Sequence, residues 1–349
     1  MKTIVIGIIF AILLIVAITL FMVLYVQDDN PATTKALWVA VGNDDTGSME
    51  NVLYSENGID WKPASMETSG ICPFYDGDGS GVAYNGTNRW VAVGFDFWEY
   101  TSDIVYSNDG IKWNKAAMVG GGSPFGLDSG NYGRGRGVAY GNNKWVAVGN
   151  DAKPANHTSN ILWSTDGTEW NTACMQGGGS PFGNTAGRGR GVAYNNSDKW
   201  VAVGFDDGNS TSKILWSADG IEWDTACMVG GGSPFGTGNG YGVAYNGSIW
   251  VAVGEDVGNS FSNILYSSDG IEWISSYMQG GGSPFGTSPE SKGNGVAYGG
   301  NKWIAVGNDD GSSTKNILYS SDGIEWKDTN GDHFSIEGLG VAYKTLLPN

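Results

Sequence analysis

Three short phrases return six times in one fixed order, and a chain written that way folds as a series of like units, each needing its neighbour to cover an apolar face. The first phrase is Gly-Val-Ala-Tyr, beginning at Gly81, Gly137, Gly191, Gly242, Gly295 and Gly340. The second is Trp-Val/Ile-Ala-Val-Gly, beginning at Trp38, Trp90, Trp145, Trp200, Trp250 and Trp303. The third runs from an aliphatic pair through Ser-x-Asp/Asn-Gly to a tryptophan, ending at Trp61, Trp113, Trp170, Trp223, Trp273 and Trp326. A spacing of about 50 to 55 residues suits a four-stranded propeller blade. The expected fold is all-β, a six-bladed β-propeller over residues 36–349. The 57 glycines, with many Asn, Ser and Asp, fit short strands and tight turns, and 40% hydrophobic residues supply a core.

Within a unit, Val82-Ala83-Tyr84 reads as the first strand, Asn85-Gly86 as a hairpin turn and residues 90–94 as the second strand. A third strand such as 264–267 then meets a turn at Asp269-Gly270, and 271–273 opens the fourth. The chain enters at a second strand, Trp38, and its last phrase, 340–343, is a first strand. That offset predicts that the C-terminal strand completes the first blade and closes the ring, removing an exposed edge. Twelve of the 15 tryptophans fall on two repeated positions. A structural role is the simplest account of them, each ring contributing on the order of 5 kcal/mol gross on burial. Trp98, Trp163 and Trp216 stand outside this pattern, and Trp98, in the loop 95–100, is expected to be exposed.

Residues 3–26 carry no charge and are long enough to span a bilayer as a helix. Lys2 precedes them and Asp28 and Asp29 follow, so the expected topology is a single-pass signal anchor with a cytosolic N-terminus. Residues 27–35 form a polar tether, and the repeats then face a lumen, the cell exterior or the outside of a virion envelope. Five glycosylation sequons, at Asn85, Asn156, Asn195, Asn209 and Asn246, fit that placement. A net charge of −17 repels phosphate backbones and argues against nucleic acid as a partner. Three cysteines, Cys72, Cys174 and Cys227, cannot all pair, and the matching places of Cys174 and Cys227 in adjacent repeats put them too far apart for a bridge.

The third phrase, written Ser267-Ser268-Asp269-Gly270-Ile271-Glu272-Trp273, resembles the Asp-box or BNR repeat of sialidase-like propellers. The spacing here is one residue shorter between Asp and Gly, and Asn57 replaces the aspartate of the first copy. In that family the box is a structural turn, so the resemblance implies that Asp109, Asp166, Asp219, Asp269 and Asp322 are turn formers rather than catalytic groups.

Candidate binding residues fall at the opposite end of the strands, where longer and more variable loops emerge. Each loop after a second strand opens with Gly-x-Asp, giving Asp44, Asp96, Asp151, Asp206, Asp256 and Asp309. These carboxylates either accept backbone N–H groups to shape their own loops, or coordinate Ca²⁺ or hydrogen-bond sugar hydroxyls. The repeated Gly-Gly-Gly-Ser-Pro-Phe-Gly connections place Phe125, Phe182, Phe235 and Phe285 on the same face, with Phe74 in a divergent copy. Such rings either plug the seams between blades or stack on sugars. Two arginine pairs, Arg134 with Arg136 and Arg188 with Arg190, precede neighbouring first strands and are expected to point to one side, pairing with the acidic loops or receiving an anionic ligand such as a sialylated glycan.

His157 and His333 are isolated, and the sequence has no P-loop or nucleophile elbow. Near-identical loops suit repeated weak binding better than an active site, which needs unlike groups converging once. The expected function is a membrane-anchored, non-catalytic surface recognition module for a glycan or a protein, with no obligatory cofactor. The alternatives are a sialidase-like glycoside hydrolase and a structural or assembly protein of an envelope. N-terminal sequencing of the protein from washed membranes is expected to return an intact N-terminus; a start beyond residue 26 would show a cleaved signal instead.

Overall fold

The computed structural model describes residues 37–43, 50–96, 102–128, 131–151, 159–183, 186–207, 212–256, 262–288, 290–308, 316–330, 334 and 337–341. The apolar segment 3–26 and the tether 27–35 lie outside them, as do Asp44, Trp98, Asn156, His157, Asn209, Asp309 and His333. The chain divides into two compact units, Met1–Trp38 with Ser55–Asp60, and Val39–Tyr54 with Trp61–Asn349. In the smaller unit the described residues are mainly a turn. Ser55 Oγ donates to Asn57 Oδ1 at 3.1 Å, and that oxygen accepts the N–H groups of Ile59 and Asp60, each at 2.8 Å.

The larger unit is all-β, with no helix among the described residues. Its repeating element is an antiparallel sheet, as in Arg134–Gly141, Lys144–Asn150, Ile161–Ser164 and Glu169–Thr172, which pair in that order. The expected four strands are joined by a fifth. Ala117–Met118, contributed by the preceding repeat, runs parallel to Glu169–Thr172 with Met118 opposite Trp170. Ser65–Met66, Cys174–Met175, Cys227–Met228 and Tyr277–Met278 do the same for the sheets that follow them. Five sheets are thus stitched to the ones before them by backbone hydrogen bonds, which also cover their outer edges. Cys174 and Cys227 lie on two such strands bound to different sheets, and all three cysteines are free thiols.

The core sits in the seams between sheets. The second strands alternate Val/Ile-Ala-Val, so both faces are apolar; in the second to fifth repeats both are buried, and in the first they are half-buried. Val146, Val148, Ile161, Ala173 and Phe182 of one repeat pack against Trp200, Ala202, Leu215 and Trp223 of the next. Equivalent clusters fill four other seams, from Val52 with Trp113 to Val251 with Trp326. Nine of the patterned tryptophans, including Trp113, Trp200 and Trp326, are essentially fully buried. Trp61 departs from expectation at 40% exposed. Among the described residues its sheet ends at Lys62–Pro63, without the parallel strand that covers the matching tryptophan elsewhere. Trp163 and Trp216, which looked anomalous, take the place of the third-strand tyrosines and lie under Lys144 and Lys199.

Successive first strands run side by side, and glycine is what lets them approach. A Cβ on Gly137 would stand 3.1 Å from Arg190 O, and one on Gly191 3.1 Å from Tyr241 O. The series continues to Gly295, where a Cβ would stand 3.0 Å from Gly340 Cα, so the final phrase begins where a sixth first strand belongs. Of the expected closing strand 340–343, only Gly340 and Val341 are described, and neither is in a strand.

The hairpin between third and fourth strands matches the turn-forming reading. Ser267 Oγ donates to Asp269 Oδ1 at 3.0 Å and accepts Gly270 N–H at 2.8 Å, while Asp269 Oδ1 accepts the N–H groups of Ile271 and Glu272. Trp273 Nε1 closes the motif on Gly270 O at 3.2 Å. Burial alone would raise these carboxyls, but the donors together outweigh it and hold Asp109, Asp219, Asp269 and Asp322 below the usual carboxylate value and Asp166 at about 2. Lowered folded-state values mean stability present above the unfolded value and lost as pH falls through the folded one. Urea unfolding should therefore show a loss of stability on going from about pH 5 to about pH 2. Asp269→Asn, which keeps the acceptor as Asn57 does, should abolish that site's share of the loss while costing under about 1 kcal/mol at neutral pH, and Asp269→Ala should cost more.

Candidate functional site

Because first and second strands are antiparallel, the start of each first strand and the end of each second strand meet at one end of the sheet. Gly77 is opposite Asp96, Arg134 opposite Asn150, Arg188 opposite Phe205 and Asn239 opposite Glu255. The candidate aspartates lie here. Asp96 and Asp206 are buried, and Asp206 pairs with Lys213 Nζ at 3.6 Å. Asp151 is half-buried and its N–H donates to Asn160 Oδ1, while Asp256 is half-buried one residue beyond Glu255. The structure therefore does not bring the four together as one exposed acidic set. Among the described residues no three His, Cys, Asp or Glu side chains gather as a metal site.

The phenylalanines lie elsewhere than a stacking surface requires. Phe74, Phe125, Phe182, Phe235 and Phe285 are all fully buried in the seams, with φ near +60°. A ring with no exposed face has nothing to offer a sugar, and the seam plug accounts for all five. The loops of Phe74, Phe182 and Phe285 are pinned by residues the sequence reading passed over, the asparagine just before the third strand. Asn160 Nδ2 donates to Pro181 O and Gly183 O, both at 3.0 Å, and Asn51 Nδ2 to Phe74 O at 2.6 Å. Asn263 and Asn316 repeat the contact on Gly286 O and Phe334 O. The signal was present as an asparagine at one place in four repeats, Asn51, Asn160, Asn263 and Asn316, where the other two carry Asp103 and Lys213. Phe334 receives the same asparagine contact in the last repeat but is 46% exposed, and it stands eight residues after Trp326 where Phe285 stands twelve after Trp273.

Arg134, Arg136, Arg188 and Arg190 are electrostatic neighbours, though not through the geometry of a regular strand. In each of five repeats the register between first and second strands shifts by one residue, as between Gly135 and Gly137. Arg136 and Arg190 are the extra residues of these bulges, as are Ser80, Tyr241 and Asn294, so the simple same-side rule of a regular strand does not apply. Arg134 forms an ion pair with Asp78, which holds the equivalent place one repeat earlier, rather than with a loop aspartate. Arg136 Nε donates to Asn150 Oδ1 at 3.3 Å. Arg188 lies over the Phe205 ring at 5.2 Å and Arg190 over the Tyr241 ring at 4.4 Å. Glu255 accepts from Asn239 Nδ2 at 2.8 Å and from the Tyr241 hydroxyl at 3.3 Å.

Burial and the neighbouring Arg190, Arg134 and Arg188 lower Arg136 to about 10, with Asp78 opposing. Burial likewise lowers Arg190, and Arg188 and Arg134 add to it against Tyr241 and Glu255. Burial raises the Tyr241 phenol. These groups form one electrostatic neighbourhood. The sequon asparagines Asn85, Asn195 and Asn246 lie at the other end, each Oδ1 accepting backbone N–H groups of its own hairpin turn. A cavity of about 220 Å³ lies against the first repeat, lined by Ala40, Val41, Gly42, Asn43, Glu50, Asn51 and Leu53.

No protein family and no curated protein matches the chain. Among solved structures it is similar to YCF48 from Cyanidioschyzon merolae, at 14% identity and a TM-score of 0.42, covering 84% of this chain and 88% of that one. It is also similar to the allergen Mala s 1 of Malassezia sympodialis, at 12% identity and a TM-score of 0.40, covering 74% and 81%. The pinning role of the buried asparagines is directly testable: Asn160→Ala strands two buried carbonyls and should cost about 1 to 3 kcal/mol in urea unfolding, whereas Asn85→Ala, in an exposed turn, should cost less.

Proposed function

We propose that the chain is a non-catalytic recognition module, held at a membrane by residues 3–26, whose six repeats form a six-bladed ring completed by the strand 340–343. Its ligand, a glycan, is received at the end of the sheets where first strands begin. One observation carries this reading. The same bulge recurs in five repeats and presents Ser80, Arg136, Arg190, Tyr241 and Asn294, so an unvarying scaffold displays side chains of differing chemistry at equivalent places. A scaffold stitched through its outer edges and plugged in its seams holds such groups rigidly, and preorganised groups lose less entropy when they bind.

A glycan array probed with the full chain in detergent, with and without Ca²⁺, should retain a defined subset of glycans. Retention of none in either condition overturns the glycan reading. Turnover of fluorogenic sialosides by the same preparation would overturn the non-catalytic part.

A further inference from the structure

The bulge arginines occupy the same place on neighbouring strands. The carbonyl oxygen of Arg136 lies 3.3 Å from where a Cβ on Gly81 would stand, and that of Arg190 lies 3.1 Å from the same point on Gly137. Tyr241 takes the next place, its ring beneath the Arg190 guanidinium. Arg134 and Arg188 begin the same two strands, so four guanidiniums crowd one sector of the site. They face two carboxylates, Asp78, already engaged by Arg134, and Glu255, held by Asn239 and Tyr241. Only one of the four guanidiniums, that of Arg134, has an ion-paired carboxylate among the described residues, in a chain whose net charge is −17.

The donors are also incompletely used. The Nε atoms of Arg134, Arg188 and Arg190 are buried and meet no acceptor among the described residues. Arg188 and Arg190 make ring contacts but no ion pair within the described residues. A guanidinium presents its donors as a planar fork, and several forks converging on one point offer more N–H groups than the two oxygens of a carboxylate accept. A phosphate monoester has three terminal oxygens and carries nearly two charges at neutral pH.

We propose that Arg136, Arg188 and Arg190 form a subsite for a phosphate monoester dianion, borne by the sugar that the site receives. This rests on the glycan-recognition reading and names the group by which the glycan is selected. Methyl phosphate and methyl sulfate separate charge from shape, since the two are nearly isosteric and differ by one charge. Calorimetric titration of the full chain in detergent, at low salt and neutral pH, should show methyl phosphate binding about tenfold more tightly than methyl sulfate. Binding should weaken several-fold as the pH falls below about 6, where the ester takes up its second proton. Glucose 6-phosphate should bind more tightly than methyl phosphate, because the sugar adds contacts.

Arg190→Gln and Arg188→Gln should each lose about tenfold in methyl phosphate affinity, and Lys112→Gln, on an outer strand, should lose none. Arg188→Gln with an unchanged melting temperature separates lost binding from lost folding. Equal affinity for the two esters, undiminished binding by both arginine variants, or no binding of methyl phosphate overturns the proposal. Failure of methyl phosphate while the array still retains glycans removes the subsite alone. Methyl phosphate binding with an empty array removes the glycan reading and leaves the anion subsite standing, and equal binding of glucose 6-phosphate and methyl phosphate removes the sugar from the proposal.

Discussion

The second strand of every repeat is apolar on both faces, and neither face can be left to water. Val201 and Val203 look one way and Ala202 the other, and each side is buried against a different sheet. A repeat is therefore not a stable object by itself; its core belongs half to the repeat before it and half to the one after. At about 25 cal/mol per Å², the tryptophans and branched aliphatics of one seam make separation of two sheets costly, and everything else in the larger unit is arranged around keeping the seams shut. The fully buried phenylalanines fill the seams, and the buried asparagines hold the phenylalanine loops in place. The parallel strands containing Met66, Met118, Met175, Met228 and Met278 stitch the outer edges by backbone hydrogen bonds.

The functional end inherits its geometry from that packing. Close approach of the first strands would leave a Cβ at Gly137 or Gly191 only 3.1 Å from a carbonyl oxygen of the next strand, and a bulge stands just before each of these glycines. A bulge re-aims the extra residue. Where that residue is arginine in two neighbouring repeats, like charges are brought together; burial first, and the neighbouring guanidiniums after it, lower Arg136 and Arg190. Nothing in the packing of the seams requires this crowding, because the same bulge carries Ser80 or Asn294 elsewhere. The arginine sector is a local departure from an otherwise repetitive scaffold, and such departures are where function is sought.

Much of the architecture was legible in the residues. The six-fold recurrence of Trp-Val/Ile-Ala-Val-Gly located the second strands, and the Ser-x-Asp-Gly turns fold as their hydrogen-bonding chemistry dictates, down to Asn57 serving as well as an aspartate. The parallel fifth strand was not legible, because two residues such as Cys227-Met228 carry no periodicity and pair only with a partner some 45 positions away. Phenylalanine in a glycine-rich loop was ambiguous for a similar reason: the same ring stacks on a ligand or plugs a seam, and only the fit of the neighbouring sheet distinguishes the two.

What the sequence determined by itself was local: strand, turn and repeat, since these follow from alternation, turn chemistry and spacing within a few tens of residues. What only the tertiary structure decided was which side chains meet. Arg134 finds Asp78 rather than a loop aspartate, Asp206 is enclosed with Lys213 rather than displayed, and Arg190 settles over Tyr241 of the next repeat. Those outcomes depend on how closely one sheet lies on the next and on a one-residue shift of register, and both are set by packing across the seams, which no single repeat contains.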